Sequence, residues 1–427
     1  MKRIVLYFTA WRLFLFIPVL LATLFLPFRE NSLYTTLWQY TEKYPVVENE
    51  LVYPWSNFDG VHYLAIASKW YTDEGRFLPL FPITVGIVAA PLSLIWPILP
   101  YGPGTFWAGI LVSTVATILA LFFTAKLLHL DYKTKTVELT LSVLLVSPLA
   151  FFFACIYSEG LFLLLSVLAL YFSRQKKWFF AAVTAMFLSV TRLSGILIVF
   201  PLLWEYYELE IRQTKLSSFF QQLIKYIVPK KISKKSWSKQ LLNFWQKYAK
   251  LMWFALIPTL LLLYGWFNYL KWGDFLYFVN AHGMLGNSRE VSGLVFPLVT
   301  VYRYIKIFST VSATQYEFWI ALLEFGALVY ATLNIFLVWK MKLRTSYLIF
   351  SLTMVSLPLL SGTLSGFPRY ILPIFPFFLA QGLWYEKLQK SNGATKLGKL
   401  IIVTFIVFSL LLQAVLLALF SRGYYVS

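Results

Sequence analysis

Residues 400–420 read LIIVTFIVFSLLLQAVLLALF and contain no charged side chain. An uninterrupted apolar stretch of about 20 residues is long enough to cross the hydrocarbon core of a bilayer as an α-helix. Over the whole chain of 427 residues, 59% of the residues are hydrophobic and 13% are charged. Soluble domains carry about 25% charged residues. The sequence therefore predicts an all-α polytopic membrane protein.

The positive charges fall mainly in short segments between the apolar stretches, and the formal net charge is +19. Such segments usually lie in the cytoplasm, and contact with lipid headgroups explains the excess better than nucleic acid does. The basic segments Lys126–Lys135, Arg174–Lys177 and Lys340–Arg344 are interpreted as cytoplasmic, as is the most basic segment, 205–250, which forms a loop. Residues 28–78 are weakly acidic, and we interpret them as a first outer loop with short helices along the membrane interface.

Assigning the apolar segments to this orientation predicts about 11 crossings within a single domain, 1–427. The segment 79–128 is rich in proline, which breaks helices, so we expect a divided or re-entrant element there. The apolar run 178–204 begins and ends beside cytoplasmic charge and must cross an even number of times. We expect the apex of two short helices at Thr191 and Arg192.

Composition excludes several kinds of site. Cys155 is the only cysteine, which excludes intramolecular disulfides and cysteine-cluster metal sites. The histidines His62, His129 and His282 form no HExxH pair, and the chain has no phosphate-cradling GxxxxGK[ST] loop. We therefore expect neither a metal site nor a required cofactor.

Two carboxylates stand at the predicted outer surface. Asp59 lies among aromatic and apolar residues of the first outer loop, where desolvation is expected to raise its pKa and suit a general base. A helix N-cap is the alternative interpretation of Asp59. Glu159 begins a predicted helix, where it would equally complement the helix dipole.

Basic side chains accompany these acids. Arg192 interrupts a long apolar run, and a lone arginine at membrane depth costs at least ~2.5–3.5 kcal/mol on insertion scales. A structural pair with Glu159 is the alternative to a functional role for Arg192. Arg369 lies nearer the interface, where it could extend to lipid headgroups instead. His62 follows Asp59 by three residues on one helical face and could contact a phosphate or a sugar.

Four blocks of sequence follow one another along the chain. They are Phe58-Asp59-Gly60-x-His62-Tyr63-Leu64-x-Ile66-Ala67 with Arg76-Phe77-x-Pro79-Leu80-Phe81-Pro82, Ser147-Pro148-x-Ala150-Phe151-Phe152 with Tyr157-Ser158-Glu159, Thr191-Arg192-x-x-Gly195, and Arg369-Tyr370-x-Leu372-Pro373-x-Phe375-Pro376. In this order and spacing they resemble the PIG-V-like (GPI mannosyltransferase 2-like) membrane mannosyltransferases of the GT-C class. The segment 205–364 matches that family only in hydropathy. Phe58 stands where members often have Trp.

The resemblance implies a GT-C-like helical bundle that transfers a hexose, expected to be mannose, from a polyprenyl- or dolichyl-phosphate donor. The acceptor would be a lipid-linked or glycan molecule on the extracytoplasmic face. The family's outer-loop acid maps onto Asp59 as general base, with inversion at the sugar. The membrane would be the plasma membrane in a prokaryote and the endoplasmic reticulum in a eukaryote. No protein partner is indicated.

The remaining candidate residues take roles around that reaction. Glu159 would orient the acceptor or hold an arginine, and Arg192, Arg369 and His62 would bind the donor phosphate. Aromatic residues beside these charges are expected to bind substrate, namely Trp55, Tyr63, Tyr157 and Tyr370.

Three other functions remain open from the sequence. A transporter or flippase of lipid-linked sugars would also have broken helices and intramembrane arginines. A noncatalytic membrane subunit could scaffold another glycosyltransferase. A transferase of oligosaccharide or aminoarabinose type would use the same architecture with another donor.

Overall fold

A computed structural model of the chain describes residues 2–29, 49–72, 75–95, 101–212, 248–281, 295–390 and 395–427. Within these ranges the regular secondary structure is helical, without a β-strand. The all-α prediction is therefore confirmed for the described part of the chain. Most of the basic loop predicted at 205–250 and much of the outer loop predicted at 28–78 lie outside the described residues.

Helices of very different length make up the bundle. In chain order they are α1 (Lys2–Phe14), α2 (Phe16–Phe25), α3 (Asp59–Lys69), α4 (Leu80–Leu92), α5 (Pro103–Leu128), α6 (Thr134–Val146), α7 (Glu159–Arg174), α8 (Trp178–Ser189), α9 (Val199–Tyr206), α10 (Thr259–Trp272), α11 (Tyr277–Asn280), α12 (Pro297–Thr310), α13 (Tyr316–Lys340), α14 (Thr345–Leu359), α15 (Phe367–Tyr370), α16 (Phe375–Lys390) and α17 (Thr395–Ser421). Short 3₁₀ segments at Tyr53–Ser56, Ala150–Ala154 and Leu193–Ile198 precede α3, α7 and α9.

Five helical stretches of the described residues are long and apolar enough to cross a bilayer. They are Arg3–Phe25, Pro103–Leu128, Ala249–Trp272, Tyr316–Lys340 and Gly398–Ser421. Shorter apolar helices occur at Leu80–Leu92, Trp178–Ser189 and Thr345–Leu359. The protein is an integral membrane protein, while the number of about 11 crossings stays a prediction.

The apolar run 178–204 is interrupted where the sequence predicts it. α8 ends at Ser189, and helical structure resumes as a 3₁₀ segment at Leu193. Between them Arg192 has an extended backbone, with φ −150° and ψ 147°. Arg192 therefore stands at the apex of two short helical elements. In the segment 79–128, the structure describes the short helix α4 and the long helix α5, while the divided or re-entrant element stays a prediction.

Helix α7 joins two charged clusters at its opposite ends. Glu159 is its first residue, and Arg174 at its other end donates to Asp131 in two hydrogen bonds of 2.6 and 2.8 Å. Close to Arg174, Arg344 pairs with Glu205 at 3.0 Å. These four residues come from segments with predicted cytoplasmic charge. A helix of 16 residues is about 24 Å long, so Glu159 lies at the far end of the bundle.

Candidate functional site

The four charged residues singled out in the sequence meet at one place in the fold. Asp59 is the first residue of α3, and Glu159 is the first residue of α7. Arg192 occupies the break after α8, and Arg369 lies in the four-residue helix α15. Four separate segments of the chain therefore supply one cluster of alternating charge.

The cluster is a continuous chain of ion pairs. Arg369 Nη1 lies 2.7 Å from Asp59 Oδ2, and Arg369 Nε lies 3.1 Å from Glu159 Oε1. Arg192 Nη1 donates to the same Glu159 Oε1 at 3.1 Å. Glu159 thus holds both guanidinium groups, and Arg369 links it to Asp59. The structural pair between Arg192 and Glu159, which the sequence left as an alternative, is present.

Glu159 is the most deeply buried member of the cluster, with a side chain that is 1% exposed. Its Oε1 atom accepts a hydrogen bond from Arg192 and forms an ion pair with Arg369, whereas its Oε2 atom has no hydrogen-bond partner among the described residues. A buried carboxylate oxygen without a donor is costly. The hydrogen-bonding capacity of Oε2 is therefore unused within the described part of the chain.

We expect Glu159→Gln to destabilise the protein by about 3–5 kcal/mol, because removing one partner leaves buried guanidinium charge uncompensated. The measurement is the midpoint of thermal unfolding of the purified protein in detergent. The matched control is Glu317→Gln, whose carboxylate is 66% exposed and 3.7 Å from Arg29, and which should barely move the midpoint. Equal shifts for the two variants would contradict a stabilising role for the Glu159 pairs.

The backbone that presents Asp59 is strained and braced. Phe58, immediately before α3, has φ +58°, a left-handed conformation that bulky residues rarely adopt and that costs about 1–3 kcal/mol. The Tyr157 hydroxyl donates to the carbonyl of Asn57 at 2.8 Å and accepts from the backbone N–H of Asp59 at 3.3 Å. The hydroxyl therefore bridges both sides of Phe58, whose ring packs on Phe420 at 5.3 Å.

The Asp59 carboxylate is tuned by its cationic neighbours. Burial raises its pKa, but the positive charges of Arg369, Arg76 and His62 lower it by more, so that the pKa lies below its usual value. The prediction of a pKa raised by desolvation is therefore wrong in direction. It took account of the apolar sequence around Asp59 but not of Arg369, which the fold brings from a distant segment.

Arg76 is a residue of this site that the sequence interpretation did not single out. Its Nη2 atom lies 3.3 Å from His62 Nε2, and its guanidinium lies 4.7 Å from the centre of the Phe77 ring. The His62 ring stacks on the same Phe77 at 5.0 Å. The available signal was its place in Arg76-Phe77-x-Pro79, shortly after the Asp59 block. Arg76 thus adds a second guanidinium group near Asp59, and His62 lies against it.

Three of the four predicted aromatic residues adjoin the cluster. The Arg192 guanidinium lies 4.4 Å from the centre of the Tyr370 ring, and Arg369 lies 5.1 Å from that of Tyr157. The Tyr63 hydroxyl donates to Ser158 Oγ at 3.4 Å, next to Glu159. These rings form cation–π contacts or line the neighbouring surface.

Trp55 occupies a different position from the one expected. Its side chain is buried, and its indole N–H donates to the Leu51 carbonyl at 3.0 Å. The Arg12 guanidinium lies 3.8 Å from the centre of its ring, and the Phe16 ring packs at 5.4 Å. This is a packing position, so the expected contact of Trp55 with substrate is not supported.

A close approach to Leu188 explains why the Thr191-Arg192-x-x-Gly195 block has a glycine at its last position. A Cβ atom there would lie 2.2 Å from the carbonyl oxygen of Leu188, which no rotamer change relieves. We expect Gly195→Ala to lower the free energy of unfolding by about 1–3 kcal/mol, because the backbone around Arg192 must shift. The measurement is thermal unfolding in detergent.

The control for Gly195→Ala is Gly326→Ala in α13, where nothing lies within 4 Å of an added Cβ atom. That change replaces glycine by a better helix former and should be neutral or slightly stabilising. An unchanged midpoint for Gly195→Ala would contradict the close approach at Leu188.

The described residues contain no group of three or more His, Cys, Asp or Glu side chains arranged to hold a metal ion. The prediction that no cofactor is required is not tested by this observation and stays a prediction.

The apolar spans and the buried charged cluster define an integral membrane protein with a polar centre at one end of its helical bundle. A sequence model of the mannosyltransferase (PIG-V) family matches residues 1–254. The chain belongs to the mannosyltransferase (PIG-V) family, and this membership supports a glycosyltransferase. The matched residues include Asp59, Glu159 and Arg192, whereas Arg369 lies beyond them.

Among solved structures, a match is the crystal structure of the Archaeoglobus fulgidus oligosaccharyltransferase in the apo form. It is 14% identical, with a TM-score of 0.46, and the alignment covers 98% of this chain and 56% of that one. The chain thus spans little more than half the length of that enzyme. No curated protein sequence matches the chain.

Proposed function

We propose that the protein transfers mannose from a polyprenyl- or dolichyl-phosphate donor to a lipid-linked or glycan acceptor, at the extracytoplasmic face of a GT-C-like bundle. The observation that carries the proposal is the ion-pair chain from Asp59 through Arg369 and Glu159 to Arg192. It places Asp59 beside Arg369, and Glu159 beside both Arg369 and Arg192. Membership of a mannosyltransferase family supports the sugar.

Arg369 and Arg192 are suited to the donor phosphate. Guanidinium groups bind phosphate oxygens with the same geometry as carboxylate oxygens, so a phosphate can replace a carboxylate partner. Glu159 holds both arginines in place before the donor arrives. As the sugar departs, negative charge develops on the phosphate, and pre-positioned cations stabilise it most at that point.

Asp59 is the proposed general base. It accepts the proton of an acceptor hydroxyl while that oxygen forms a bond to the anomeric carbon. The bond between the anomeric carbon and the phosphate oxygen breaks on the opposite face, its electron pair leaves with the phosphate, and the configuration inverts. Arg369 lowers the pKa of Asp59. When the donor phosphate also pairs with Arg369, the negative charge of the phosphate offsets this effect, and the carboxylate becomes a better proton acceptor.

Glu159 Oε2 is the proposed acceptor of a hydrogen bond from substrate. It is buried and lacks a partner in the described part of the chain. A sugar hydroxyl placed there would satisfy it and orient the ring against Asp59. His62 and Arg76 lie near Asp59 and are proposed to contact the phosphate or the acceptor.

The extracytoplasmic placement rests on the two ends of α7. The segments with predicted cytoplasmic charge supply Asp131, Arg174, Glu205 and Arg344, which cluster at one end. The Asp59 cluster lies at the other end, which we assign to the plasma-membrane exterior of a prokaryote or the endoplasmic-reticulum lumen of a eukaryote.

A donor panel tests the proposal. Purified protein in detergent would receive sugar-labelled polyprenyl-phosphate mannose, polyprenyl-phosphate glucose, a polyprenyl-diphosphate sugar and GDP-mannose, each with a mixed pool of lipid and glycan acceptors. We expect transfer from polyprenyl-phosphate mannose in preference to the others. Transfer from GDP-mannose alone would overturn the lipid-phosphate donor, and preference for another lipid-phosphate sugar would overturn mannose.

A further inference from the structure

Arg12 is a charged residue that the proposed mechanism does not use. It lies in the first candidate span, Arg3–Phe25, where a lone guanidinium is costly unless it is held by specific partners. Its Nη1 atom donates to the carbonyl oxygen of Ala154 at 2.7 Å. Its guanidinium also lies 3.8 Å from the centre of the Trp55 ring.

These two contacts join the segments that lead into the site. Trp55 belongs to the 3₁₀ turn Tyr53–Ser56, shortly before Asp59, and Ala154 ends the 3₁₀ turn Ala150–Ala154, shortly before Glu159. The same segments meet again through the backbone, where the N–H of Ile156 donates to the carbonyl of Trp55 at 2.7 Å. Arg12 therefore spans the two turns from the side of the first helix.

The joined segments also fix the Asp59 backbone. Gly60 approaches the Ile156 carbonyl so closely that a Cβ atom there would lie 3.3 Å from its oxygen. Tyr157, the next residue, bridges Asn57 and Asp59 through its hydroxyl. A shift of residues 154–157 would be passed to both catalytic carboxylates.

We propose that Arg12 is a positioning residue, which fixes the distance between the Asp59 and Glu159 segments by clamping Trp55 to Ala154. The expected effect on catalysis rests on the proposed function. The clamp between Trp55 and Ala154 does not depend on that function. Displacements of about 1 Å in a catalytic group can cost on the order of 10² in rate, so loss of the clamp should lower kcat.

Cys155 provides a reporter of the clamp. It is the only cysteine of the chain, it is fully buried, and it follows Ala154 directly. A maleimide should label it slowly in the wild type. We expect Arg12→Met to raise the labelling rate about tenfold or more, because the segment opens locally more often. Arg12→Lys keeps the cation and a donor, and should restore most of the protection.

The experiment compares wild type, Arg12→Met, Arg12→Lys and a matched control, Arg3→Met, in purified detergent-solubilised protein of confirmed monodispersity. Arg3 lies on the same helix, with a side chain that is 77% exposed and paired with Glu138. The control should label like wild type. In parallel, Arg12→Met should lower kcat by on the order of 10- to 100-fold with the donor KM little changed.

If folded Arg12→Met protein labels at Cys155 at the same rate as the wild type, the clamp is overturned, whatever the activity of the enzyme. Raised labelling with unchanged kcat would overturn the positioning role alone. If Arg12→Met does not yield folded protein, Trp55→Leu removes the other side of the clamp and must raise labelling in the same way. Absence of transfer by wild type would instead contradict the proposed function and leave the labelling result valid.

Discussion

Asp59→Asn is expected to lower the kcat of mannose transfer by about 10³, which is in the middle of the range of about 10²–10⁴ that one general base contributes. Asparagine keeps the size of the side chain and can still contact Arg369, but it cannot accept a proton. The donor KM should change little, because the proposed phosphate ligands remain. The measurement is the steady-state rate with purified variants and saturating acceptor.

The matched control for Asp59→Asn is Asp131→Asn. Asp131 is also an aspartate paired with an arginine, Arg174, but it lies at the opposite end of α7. Its variant should retain wild-type kcat. Loss of activity in both variants would indicate that loss of an ion pair, rather than of a base, accounts for the effect at Asp59.

Arg369→Met is expected to lower kcat/KM by on the order of 10²–10³, because one cation is removed from the leaving phosphate. It should also change the pH dependence. The pKa of Asp59 is held below its usual value by Arg369 together with Arg76 and His62, so the carboxylate remains ionised in mildly acidic solution. Without Arg369 that pKa rises.

The direction of the pH effect follows because the ionised carboxylate of Asp59 is the active form. Activity is lost when the pH falls below the pKa of Asp59 in the free enzyme, which is what kcat/KM reports. The acid limb of the profile should therefore move to higher pH in Arg369→Met. An acid limb that stays in place or moves to lower pH would contradict the coupling of Arg369 to Asp59.

The control for Arg369→Met is Arg344→Met, which removes a guanidinium from the buried carboxylate of Glu205. We expect a comparable loss of thermal stability, because Glu205 is left as an uncompensated buried charge. The acid limb of kcat/KM should not move. The comparison separates the chemical role of Arg369 from the stability that its ion pairs contribute.

The helical architecture could be predicted because apolar length and charge placement act locally. The stretch 400–420 lies within an observed candidate span, and the break at Arg192 lies between α8 and the following 3₁₀ segment. Both follow from the cost of placing charged side chains or unpaired backbone groups in hydrocarbon. The number of crossings does not follow so directly, since several apolar helices, such as Thr345–Leu359, are shorter than a full span.

The site could be predicted only in part. Asp59, Glu159, Arg192 and Arg369 were identified individually because each is a charge in an apolar setting. The contact between Arg369 and Asp59 could not be foreseen, since no local pattern connects two residues so far apart in the chain. For the same reason the pKa of Asp59 was predicted in the wrong direction. The left-handed Phe58 and the Tyr157 bridge depend on tertiary contacts as well.

Arg12 and Trp55 show a further limit of the sequence. Trp55 stands close to the Asp59 block and has the aromatic character of a substrate contact, yet it packs under Arg12 inside the bundle. Arg12 interrupts an apolar span as Arg192 does. The sequence does not distinguish the two arginines, whereas the fold places Arg192 in the charged cluster and Arg12 against Trp55 and the Ala154 carbonyl.

The most direct test of mannose transfer follows labelled polyprenyl-phosphate mannose in proteoliposomes that contain the purified wild-type protein. The acceptor is supplied either inside or outside the vesicles. Transfer of the sugar to acceptor and movement of intact donor between leaflets are measured on the same sample. We expect transfer, with no acceleration of donor movement beyond that in protein-free vesicles. Accelerated movement of intact donor without any transfer would contradict the proposed function and would identify a transporter of lipid-linked sugars instead.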